Sequence, residues 1–158
     1  MASAYYGTTT NGLSKTNSHN VLCVSGKELV SSTVSNFNIS SDGKVITDSR
    51  TGLMWQKGYS IGKWRSALAY CQTLNTESYG GYSDWRLPNK NELASLLDPS
   101  KSEAPYSNFP DMRNCYWSSS TSIGGGSDSA WVVYFYYGMV SRISKTSLND
   151  IRVMCVRN

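Results

Sequence analysis

The chain carries a single histidine, His19, in a stretch dominated by Ser, Thr and Asn. Histidine-based catalysis would have to use that residue alone, because a serine or cysteine nucleophile needs a positioned base. Ser118, Ser119, Ser120 and Thr121 offer a run of hydroxyls, but no Ser-x-x-Lys pattern surrounds them. They read as a strand end whose side chains make local hydrogen bonds. Four cysteines, Cys23, Cys71, Cys115 and Cys155, are widely spaced with no C-x-x-C pair to chelate zinc or exchange thiols. Disulfides suit the polar composition better than four buried thiols in a reducing compartment. Four cysteines allow three pairings, and the spacing does not choose among them. Isolated loop acids, Asp98, Glu103, Asp111 and Asp128, are of the type that ligates calcium in irregular oxygen sets, but no motif calls for calcium or any other cofactor.

The remaining chemistry lies in cations and rings. The net charge is +4, which tolerates anionic partners without naming one. Lys57, Lys63 and Arg65 fall around the start of the first predicted helix, and Arg142 and Lys145 on a late strand and its turn. Converging, they would form an anion-binding face, since each sulfate pairs weakly in water and affinity comes from the sum. Ordinary solvated side chains are the plain alternative at each position. Tyr134, Tyr136 and Tyr137 add ring surface for sugars or for a neighbouring subunit. Nucleic acid is not expected, because there is no basic run, zinc-finger spacing or recognition helix. Membrane insertion is not expected either, because no apolar run approaches about eighteen residues.

The 158 residues are enough for one domain plus an arm. Residues 1–41 read as a polar arm with one apolar island, Val21-Leu22-Cys23-Val24, and residues 42–158 as an α+β domain. Lys44 to Thr47 and Leu53 to Gln56 flank turn residues and form a hairpin. Trp64, Ala67, Leu68, Cys71 and Leu74 recur at helical spacing, with Ser60 a candidate cap. Asn89 and Glu92 have capping-box spacing ahead of Leu93, Leu96 and Leu97, and Asp98-Pro99 ends that run. The last third reads as an antiparallel meander: Cys115 to Ser118, Ala130 to Tyr136, Val140 to Ser144 and Ile151 to Val156. Trp55, Trp117 and Trp131 fall at inward strand positions, and Trp85 and Arg86 read as structural, ring in the core and guanidinium tied to carbonyls or a carboxylate.

In order, TGLMWQ, a W-x-x-A-x-x-x-C helix, GGYSDWRLPNKNEL, YWSSST, AWVVYFYYG and the closing MCVR resemble the DUF1566 family, which includes the C-terminal domain of the Legionella collagen-like adhesin. The resemblance implies a C-type-lectin-like fold, an extracellular or cell-surface location, and a trimeric, non-enzymatic binder of host or matrix polysaccharide, sulfated glycosaminoglycans above all. It pairs Cys71 on the first helix with Cys155 on the final strand, and leaves Cys23 for Cys115. A structural domain that trimerises or caps a fibre is the other reading it allows. The chain departs from the family in carrying Met154, not Arg, before the last cysteine, with Arg152 two residues earlier. The calcium-site strings EPN, QPD and WND of sugar-binding C-type lectins are absent.

Overall fold

A computed structural model describes residues 36–98, 100–101, 107, 109, 112, 114–122, 128–147 and 151–158. His19, Cys23, the island at 21–24, Glu103 and Asp111 lie outside the described residues. Along the chain come β1 (Phe37–Ile39), β2 (Val45–Asp48), β3 (Met54–Gln56), β4 (Ser60–Ile61), α1 (Trp64–Thr76), a 3₁₀ turn (Tyr79–Gly81), α2 (Lys90–Ala94), β5 (Cys115–Thr121), β6 (Ser129–Tyr134), β7 (Met139–Ser144), β8 (Arg152–Val153) and β9 (Val156–Arg157). They build a four-stranded sheet ordered β1-β2-β3-β9 and a five-stranded sheet ordered β4-β8-β5-β6-β7. The architecture is α+β. β1 pairs antiparallel with β2, so the sheet begins N-terminal to residue 42.

The β2–β3 hairpin turns on Asp48, whose fully buried carboxylate accepts from the Arg50 amide and the Thr51 hydroxyl. Alternation along the strands sends side chains to two cores. Val45, Cys115, Trp117, Ala130 and Val132 join one cluster with Ala67, Cys71 and Leu74 of α1. Ile46, Trp55, Tyr116 and Val133 join the other with Leu93 and Leu96. Adjacent Val132 and Val133 are both buried because β6 is covered on both faces. The α1 stripe is thus narrower than its spacing suggests, with Leu68 turned outward and 40% exposed. Ser60 does not cap α1: it pairs with Val153 across β4 and β8, and the helix begins after Gly62 with Lys63, which supplies no side-chain cap, at the N-cap.

The segment from Ile151 to Val156, expected as one strand, divides between the two sheets. β8 joins the five-stranded sheet and β9 the four-stranded one, so Met154 and Cys155 form the crossing. Gln56 holds that crossing, its amide donating to the Cys155 carbonyl at 2.9 Å and its Oε1 accepting from the Cys155 amide at 3.2 Å. Cys155 is bonded to Cys71, which fastens α1 to the crossing. Cys23, the expected partner of Cys115, lies outside the described residues, and Cys115 carries a free buried thiol. Its sulfur faces the α1-side core beside the Tyr134 hydroxyl, and loss of hydration pushes its pKa up to about 12.

The DWRLP stretch is a seam between elements. Asp84 accepts from Arg157 at 2.6 Å. Trp85 is buried, its backbone paired to the Asn75 side chain and its indole donating to the Tyr79 carbonyl. Arg86 exchanges backbone hydrogen bonds with Val156 and makes a bidentate pair with Glu92, both contacts 2.8 Å. Glu92 also accepts from the Asn89 amide, while the Asn89 side chain accepts from the amides of Asn91 and Glu92, which completes the capping box. The structural reading of Trp85 and Arg86 holds. At Gly80, φ is +62°, and a Cβ would lie 2.6 Å from Val45 Cγ2, so glycine is required by both conformation and space.

Candidate functional site

β7 is an edge of the five-stranded sheet. At its C-terminal end two tryptophan–lysine stacks lie on opposite faces. On the α1 side, the Lys145 ammonium sits 4.5 Å from the centroid of the Trp64 ring. Trp64 is the first residue of α1, so Lys63 and Arg65 flank it in sequence. Its indole is oriented by a 2.9 Å hydrogen bond to the Ser118 carbonyl. α1 has no acidic residue in its own first turn to offset the positive end of the helix dipole. On the α2 side, the Lys90 ammonium lies 4.7 Å from the Trp131 ring. Trp131 pairs directly with Arg142 across β6 and β7, and direct cross-strand partners share a face.

The structure therefore brings Lys145 to Trp64, whose neighbours in sequence are Lys63 and Arg65, and sets Arg142 on the same face as Trp131, which Lys90 covers. Three residues separate Arg142 from Lys145, about 10 Å of strand. Trp131 is not the inward residue expected: Ala130 and Val132 take the α1-side core, and Trp131 faces the other way, half-buried. Lys90 was not among the expected site residues. Its proximity depends on where α2 crosses β6, and only the register of Ala130 and Val132 against Trp131 hints at it.

Three other expected residues lie elsewhere. Lys57 ends the β2–β3 hairpin, where its carbonyl and that of Lys44 accept from the Tyr79 hydroxyl, beyond the C-terminal end of α1. Lys44 approaches the Tyr79 ring at 6.0 Å. Tyr134 and Tyr136 lie at the turn end of the β6–β7 hairpin, and the ring contacts of Tyr137 with both make an aromatic tip. Tyr136 is 56% exposed and Tyr137 66%, with Met139 beside them, whereas Tyr134 is half-buried against the core. Loss of hydration, with the Cys115 thiol adding to it, raises the Tyr134 hydroxyl's pKa. About 17 Å of strand divides this tip from the Ser129 and Ser144 end.

The hydroxyl run serves the fold. Ser118 Oγ donates to the Trp131 carbonyl, Ser119 Oγ to the Pro88 carbonyl, and Ser120 Oγ accepts from the Lys90 amide. Asp98 accepts from the amide and hydroxyl of Ser100, and no group of three or more metal-ligating side chains occurs among the described residues. No helix among the described residues is long and apolar enough to cross a membrane.

Fold and site together define an α+β, disulfide-linked domain with a basic and aromatic sheet edge. The chain belongs to the Lcl C-terminal domain family, whose model matches residues 44–157. That places it among surface adhesin-related domains, in a family of surface or secreted proteins not known as enzymatic. No curated protein and no solved structure matches it.

Proposed function

We propose that this domain is the non-enzymatic, extracellular binding module of a bacterial adhesin or fibre tip, with a C-type-lectin-like architecture, and that it recognises sulfated glycosaminoglycan-type polysaccharide. The observation that supports this reading is the pair of lysine–tryptophan stacks, Lys145 on Trp64 and Lys90 on Trp131, with Arg142 paired to Trp131 and with Lys63 and Arg65 beside Trp64 in sequence. Such a band suits a polyanion better than a small ligand, because exposed pairs contribute little singly and must act in number. A homotrimer would multiply the effect by presenting three bands to one chain. The bond between Cys71 on the first helix and Cys155 near the end of the chain supports the architectural reading.

The test is retention on immobilised heparin and on an uncharged matrix across a salt gradient. Retention on heparin alone, falling as salt rises and lost when Lys63, Arg65, Arg142 and Lys145 are all changed to Gln, is the expected result. Absence of retention at low salt would overturn it. A second reading, a trimerising or capping domain, is favoured by the exposed tip of Tyr136, Tyr137 and Met139. It predicts that Tyr136→Ser with Tyr137→Ser lowers the oligomeric state in sedimentation while leaving heparin retention per protomer intact.

A further inference from the structure

We infer that the band selects sulfated sugar over other polyanions, because Trp131 and Trp64 are platforms for pyranose rings that Lys90 and Lys145 cover in the free protein. This rests on the function proposed above and names what the cations alone do not supply. A row of lysines and arginines responds to charge density and spacing, so it would hold a vinylic polysulfonate about as well as a polysaccharide of like charge. The structure has more than a row of cations. Each stack sets an ammonium within 5 Å of an indole centroid, 4.5 Å at Trp64 and 4.7 Å at Trp131, on opposite faces of one edge strand.

Cation–π attraction at a solvent-accessible ring is weak enough to exchange readily. A sulfated pyranose offers both halves of an exchange. Its C–H face can take the place of the ammonium on the indole, and its sulfate can pair with the ammonium that has moved aside. The ring supplies apolar area that a vinylic polyanion lacks. Trp64 is held for this by the Ser118 carbonyl. Lys90 is held by the hydrogen bond from its own amide to Ser120 Oγ, which anchors the backbone and leaves the side chain to swing.

The experiment compares a heparin oligosaccharide with poly(vinyl sulfonate), titrated into the wild-type protein, Trp131→Ala and Trp131→Phe over a range of salt. Trp131 is half-buried, and thermal unfolding of each variant checks that it is folded. The expected result is heparin affinity about three- to tenfold weaker in Trp131→Ala, with an unchanged dependence on salt, a smaller loss in Trp131→Phe, and unaltered affinity for poly(vinyl sulfonate). The difference in emission between wild type and Trp131→Phe should change on adding heparin oligosaccharide and stay constant with poly(vinyl sulfonate). Equal effects on both polyanions, or no effect on heparin binding, would overturn the inference and leave the anionic-glycan reading standing. If the wild-type protein binds neither, that reading falls first. If either variant fails to fold, the comparison of the two polyanions on wild-type emission decides alone.

Discussion

Replacing Cys71 and Cys155 with alanine cuts the link between α1 and the crossing that joins the two sheets. The bond closes an interval of 84 residues, and in the chain-entropy model a loop of that length stabilises the fold by about 4.5 kcal/mol. Both sulfurs are buried, so their lost packing adds to the effect. Domains of this size have about 5–15 kcal/mol in total, which leaves the variant with a small margin at best. For a chain of 158 residues the loss corresponds to a fall in Tm of roughly 10–20 °C. Urea unfolding followed by tryptophan emission reads it, and a reductant gives an independent route to the same state. Reduced wild type should unfold at nearly the midpoint of the double variant, and the variant should not respond to reductant. A loss under about 1 kcal/mol would refute the reasoning, since it means that this bond does not constrain the unfolded chain, whereas a double variant that still responds to reductant would reveal a second disulfide.

Cys115 should resist iodoacetamide at pH 8 in the folded protein and react on unfolding. Because the folded state keeps its thiol protonated to about pH 12 and the unfolded state releases the proton near 9.0, its contribution to stability should decline above pH 9, and Cys115→Ala should flatten that alkaline limb of a urea titration. Glu92 titrates below its ordinary value, chiefly through the bidentate bond from Arg86, so the pair stabilises above about pH 4.5 and the contribution is lost as pH falls through the depressed value. Arg86→Gln should therefore reduce stability at pH 7 and make the acid limb less steep; an unchanged acid limb would contradict this. Gly80→Ala should cost about 2–3 kcal/mol in urea unfolding, from the left-handed backbone and the clash with Val45 together.

Elements set by local pattern were legible in the sequence. The hairpin from Val45 to Gln56, the stripe of Ala67, Cys71 and Leu74, and the Asn89–Glu92 capping box follow from turn residues, helical spacing and cap chemistry. The site was legible only in part, because register and layer order decide it. Arg142 and Lys145 are close in sequence, yet alternation and the turn put them on opposite faces of an edge strand. Lys57 is only six positions before Lys63, but the hairpin carries it to Tyr79. Trp131 has the composition of a core residue, and its outward aspect follows from Ala130 and Val132 facing α1. The division of Ile151–Val156 between sheets was not legible, since a short apolar run is the same whether one sheet or two receive it.

The most direct test of the binding account is the dissociation constant for a heparin oligosaccharide measured against salt for wild type, Lys57→Gln and the four-site variant of Lys63, Arg65, Arg142 and Lys145. The account predicts binding that weakens with salt in the wild type, a slope of log Kd against log salt shallower by roughly one for each contact removed in the four-site variant, and wild-type behaviour in Lys57→Gln. Undetectable binding at low salt, or a loss per charge removed in Lys57→Gln equal to that in the four-site variant, would contradict it.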